Sequence, residues 1–200
     1  MMSLVFAALT TGSLLAGDAI APAESVDIRE YRQEDVLAQM VEARTVGELR
    51  KCYEARLWPD AAVEIVYSVR LREMKAPDAD ESLVRAIPAS PVEFWYAYEV
   101  FTHHSSDRER KLAAAYWHYW EMVPTAILHR RSGFRAFLLL SRWAKSGEMM
   151  DQMQTANETL WNGNRRAVLR SLRFLDPETR AQICNKDGLP CEAIASKHSN

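Results

Sequence analysis

The side chains best suited to acid–base or metal chemistry fall in one stretch of the chain. Glu99 and His103 stand four residues apart, and His118 and Glu121 three apart. On a helix each spacing puts a carboxylate and an imidazole on one face. Two such pairs on facing helices could hold a metal ion, as bundle sites do. The connection argues otherwise. If the helices turn back on each other near residue 105, His103 lies by the turn while His118 lies ~15 Å further along, at 1.5 Å per residue. No metal or other cofactor is therefore expected, and Glu93 becomes the expected neighbour of His118. The catalytic alternative is a hydrolase in which Glu93, Glu99, His103 and His118 converge in one polar pocket.

Arginine supplies a second kind of chemistry. Arg166, Arg170 and Arg173 recur at helical spacing opposite Val168, Leu169, Leu172 and Leu175. Arg130, Arg131, Arg135 and Arg142 form another basic group nearby. Guanidinium groups bind carboxylate and phosphate bidentately, so these residues could dock an acidic partner. The plainer reading is a solvated helix face.

Aromatic residues are the third concentration. Phe94, Trp95, Tyr96, Tyr98 and Phe101 lie in one segment, and Tyr116, Trp117, Tyr119 and Trp120 in the next. They surround each helix instead of forming a stripe, which suits central helices packed on several sides. The rival is an aromatic-lined cavity in a lipid or small-molecule carrier.

Signatures of known catalytic and nucleotide sites are missing: there is no G-x-S-x-G, S-x-x-K, H-E-x-x-H, C-x-x-C, phosphate loop or G-x-G-x-x-G. This favours a binding protein over an enzyme, and another protein as its partner. Nucleic acid is not expected, because the formal net charge is −2. The charges are nevertheless segregated. Residues 24–99 carry 10 basic and 16 acidic side chains, a balance of −6, whereas residues 100–200 carry 15 and 10, a balance of +5. The two halves are expected to neutralise each other across the fold.

Elements that would position these groups are signalled by caps and prolines. Residues 32–43 carry an amphipathic helical face. Thr45 with Glu48 forms a capping box, Pro59 suits a first helical turn, and Ser90-Pro91 and Ser105–Asp107 open further helices. Pro124 predicts a kink in the helix that reaches Arg130. Asn162-Gly163-Asn164 separates helices over 148–161 and 165–175, and Asp176-Pro177 opens a last one. Residues 61–75 are less regular, because Val63, Ile65, Tyr67, Val69 and Leu71 alternate in the manner of a strand; segment length and flanking residues favour helix. The fold class is therefore all-α. Helices joined by short breaks suggest stacked antiparallel hairpins, as an irregular solenoid-like array or a bundle.

A single helical domain is expected over residues 24–195, followed by a frayed tail at 196–200. Residues 1–23 read as a signal peptide, with an apolar run over 4–15 and Ala21-Pro22-Ala23 before the cut. That assigns an exported protein, periplasmic or extracellular. Asp18 stands where a lipoprotein would need cysteine, so no lipid anchor is expected, and no stretch suits a membrane span. In an oxidising compartment Cys184 and Cys191 would pair across an Asp-Gly turn, leaving Cys52 unpaired. Asn157-Glu158-Thr159 fits the N-glycosylation pattern.

Overall fold

The computed structural model describes residues 33–102, 106–145, 147–185 and 189. Among them there are nine helices and no strand. The expected signal peptide, frayed tail, His103 and Cys191 lie outside the described residues.

Helices α1 (Glu34–Glu42) and α2 (Val46–Glu54) bury narrow faces, as their amphipathic patterns require. Thr45 caps α2 by accepting from the Glu48 N–H at 3.2 Å, and the Glu48 carboxylate reaches back to the N–H of Arg44.

Helix α3 (Ala61–Glu73) covers the strand-like segment. Ala62, Val63, Ile65, Val66, Tyr67, Ser68, Val69 and Leu71 are all buried, so apolar groups occupy every side and no single stripe emerges. A helix enclosed all round loses the 3.6-residue signature that identifies a half-exposed one. It packs against α1, α2, α4, α5 and α6. It begins at Ala61, as expected for the 61–75 segment, but Pro59 lies outside the helix instead of in its first turn, and Asp60 forms the cap. The Asp60 side chain accepts from the N–H groups of Ala62 and Val63, at 2.8 and 3.2 Å. Pro59 precedes this cap.

Helix α4 (Ala79–Arg85), which the sequence reading did not assign, returns the chain along α3. Helix α5 (Pro91–Thr102) carries the first aromatic group, and α6 (Asp107–Arg130) the second. A full capping box between Ser106 and Glu109 opens α6. The helix continues through buried Pro124 as one element. The missing N–H thus removes a backbone bond without dividing the helix.

The aromatics pack ring on ring. Phe101 stacks on Tyr116 at 4.9 Å between centroids, and Trp120 meets Phe94, Tyr116, Tyr119 and Phe137 edge-on or tilted at 5.1–6.1 Å. Phe94, Phe101, Tyr116, Tyr119 and Trp120 are all buried. Burial pushes the Tyr116 and Tyr119 phenols well above their ordinary range.

After α6 the chain reverses at Arg131, in the left-handed region at φ 53°, and Gly133 at φ 84°. A β-carbon at Gly133 would stand 2.9 Å from the Val84 side chain, so both backbone and packing favour glycine there. Helix α7 (Phe134–Leu140) follows, then α8 (Gly147–Leu172) and α9 (Pro177–Asn185). The break expected at 162–164 is confined to Asn164, which is non-helical at φ −156° and ψ 70° and accepts from the Ala167 N–H at 3.1 Å. Gly163 lets α8 approach α6: a β-carbon there would lie 2.4 Å from Leu128. Asn157 is fully buried and donates to the Ser141 hydroxyl at 2.9 Å. The folded protein thus offers no glycan acceptor at that motif.

Replacing Ile65 by alanine should remove about 2–5 kcal/mol from the unfolding free energy, because the cavity would sit inside the most enclosed helix. Urea denaturation monitored by tryptophan fluorescence measures this, and a loss below about 1 kcal/mol would contradict the packing described.

Candidate functional site

The two charge-rich halves meet along α6. Lys111 pairs with Glu42 of α1, and His118 Nδ1 lies 3.3 Å from Glu73 Oε1 of α3. His129 Nδ1 lies 3.0 Å from Asp80 of α4, and Arg130 is 3.1 Å from Glu81. These four pairs join basic residues of the second half to acids of the first, as the segregation of charge predicts. They also correct the expected partner of His118. It faces Glu73, not Glu93, because α6 packs directly along α3.

A surface cleft of about 280 Å³ opens beside this seam, lined by Val41, Arg70, Glu73, Lys111, Ala114, Ala115 and His118. It gathers an imidazole, a carboxylate and two cations, the ingredients of anion binding or proton transfer. Each charged group is already engaged, however. Arg70 pairs with Glu73 and donates to the Ala43 carbonyl at 2.8 Å, while Lys111 holds Glu42. The cleft is electrically balanced, and its pairs tie α6 to α1 and α3.

A smaller cleft of about 150 Å³ lies between Pro59–Glu64 and Arg85–Glu93. Buried Asp60 forms part of its wall and accepts from the Tyr96 hydroxyl at 2.9 Å, linking the start of α3 to α5. Glu64 accepts from the Tyr53 hydroxyl and lies 3.9 Å from both Arg56 and Arg85. Burial and then the Glu64 bond push the Tyr53 phenol up to about 12. Glu93 accepts from the Ala89 N–H at 2.7 Å and so helps open α5. A third cleft, about 170 Å³, runs between α1 and the start of α6.

Of the proposed polar pocket, then, Glu93 and His118 line separate clefts. Glu99 is half-buried on α5, and His103 lies outside the described residues. Among the described residues, no three His, Cys, Asp or Glu side chains gather as metal ligands would. No Phe, Tyr or Trp lines any of the three clefts. Sequence reasoning missed Asp60 and Tyr53 as linking groups. The signal for Asp60 was present, an aspartate directly before two alanines.

The arginines are distributed differently. Arg130 is held by Glu81, and Arg142 lies 3.7 Å from Asp176. Arg166, Arg170 and Arg173 project from α8 and the turn after it, all exposed. Arg135 of α7 places its guanidinium 5.8 Å from the centre of the Phe174 ring, bringing α7 to the end of this arginine row. Phe174 is itself 64% exposed. Arg131, Arg166, Arg170 and Arg173 form no ion pair with a described residue, whereas Arg50, Arg56, Arg70, Arg72 and Arg85 of the first half all do. Compared with known proteins, the chain matches no family model, no curated protein and no solved structure.

The His118–Glu73 pair is a partly exposed tie, for which coupling of at most about 1 kcal/mol is expected. A double-mutant cycle of His118→Ala and Glu73→Gln in urea denaturation tests this; coupling above about 2 kcal/mol would mark it as more than a surface tie.

Proposed function

We propose that this is a non-catalytic interaction module that docks another, acidic protein on an arginine face comprising Arg135, Arg166, Arg170 and Arg173, with Arg131 beside them in the chain. The observation that carries the reading is the charge left over after folding. Five arginines of the first half are engaged in ion pairs, as are Lys111, His118, His129 and Arg130, yet this face has no described carboxylate partner. Charge uncompensated within a fold remains available for association and steers it at low ionic strength. Arginine is also the cation most used at interfaces, because its planar fork meets carboxylates bidentately. The cleft beside His118 supports no competing assignment as strongly, since Arg70, Glu73, Lys111 and His118 are each engaged in an ion pair.

Replacing Arg166, Arg170 and Arg173 together by glutamate should abolish capture of the native partner while changing the unfolding midpoint by no more than a degree or two. The measurement is affinity capture from the native compartment beside a thermal melt. Unchanged capture by a folded variant would refute the reading.

We propose further that the protein is exported and that Cys184 pairs with Cys191. Cys184 lies in the last turn of α9, seven positions before Cys191 in the sequence, whereas Cys52 is a free thiol. Intact mass of the mature chain should show loss of about 23 residues, and thiol labelling without reductant should modify one cysteine. An intact Met1 with three reactive thiols would overturn both statements.

A further inference from the structure

We infer that the partner seated on the arginine face is an acidic α-helix, aligned along α8 with carboxylates at matching spacing. The inference rests on the interaction-module reading above. Arg166 and Arg170 stand at i and i+4 on one side of α8, with Cα atoms about 6 Å apart along its axis, and Arg173 follows in the turn directly after the helix. That side is the outward one, because Val168 and Leu172 are buried on the other. A helix lying alongside would meet the three guanidinium groups with carboxylates at i, i+4 and i+7 if parallel, or at i, i+3 and i+7 if antiparallel. Phe174, 64% exposed with the Arg135 guanidinium over its ring, would receive an apolar side chain at the end of that row. An aromatic ring beside arginines is the composition that concentrates binding energy in protein interfaces.

Other polyanions fit less well. A helix that lies in a membrane surface presents an apolar face to the lipid. Here α8 has spent that face on the protein core, leaving only Phe174. None of the three described clefts, where a small anion would be enclosed, is lined by these arginines, which are all exposed. Nucleic acid would have to approach a chain whose overall balance is −2.

The test uses the full protein and stapled helical peptides carrying three glutamates in the parallel or antiparallel spacing plus one leucine positioned over Phe174. Fluorescence anisotropy at 50 mM salt should show one spacing binding at least 10-fold more tightly than a peptide of identical composition with the glutamates spread around the helix. Arg170→Glu should weaken that binding at least 30-fold and Phe174→Ala about 5-fold, with circular dichroism unchanged. Equal binding of all the peptides, still lost in Arg170→Glu, would overturn the helix inference while leaving the acidic-partner reading intact. Binding only to anionic vesicles or to DNA would overturn both, as would an absence of binding to any acidic probe.

Discussion

A helix buried along most of its length must find partners for nearly all the polar atoms it carries, and α3 lives under that constraint, with Arg70 Nε its one buried side-chain atom lacking a hydrogen bond. Its apolar residues meet five other helices, so the remaining groups are fixed one by one. Asp60 satisfies the first N–H groups, the Ser68 hydroxyl donates to the Ile65 carbonyl at 2.9 Å, and Glu64, Arg70, Arg72 and Glu73 are each paired. Leaving Asp60 or Ser68, the buried members of this set, unpartnered would cost more than their hydrogen bonds contribute when made. The clefts flanking α3 are rich in charge for this reason: they are the edges at which a buried helix completes its bonding.

The same constraint explains how charge is spread over the molecule. Because α1, α3 and α4 carry acids along the seam with α6, the seam draws in Lys111, His118, His129 and Arg130. The excess of arginine then falls on α7 and the end of α8, away from those acids. What the chain offers to others is thus the remainder of what it needs for itself.

Much of the architecture was legible in the residues. Ser106 with Glu109, Thr45 with Glu48, and Asn164 act at helix starts through bonds that their side chains dictate locally, independent of packing. Period signals failed where burial was complete, as along α3, and where a helix was too short to show a period, as in α4. α6 runs through Pro124 to Arg130 as one element, as its sequence pattern implies, since a proline there removes only its own backbone donor. The neighbour of His118 was misjudged because it depends on which helix packs against α6, a long-range choice that spacing within one hairpin does not encode. The arginine row was visible from spacing alone. Its lack of partners was not, since that follows only from where every acid ends up.

Native-state hydrogen exchange resolved by residue probes the organising role of α3 most directly. If this enclosed helix holds the others, amides of residues 65–71 should exchange only through global unfolding, with protection equal to the full stability of the protein. Amides of α8 beyond Asn164 should open at lower free energy. Exchange of the α3 amides through a partial opening, while α8 remained protected, would contradict the account.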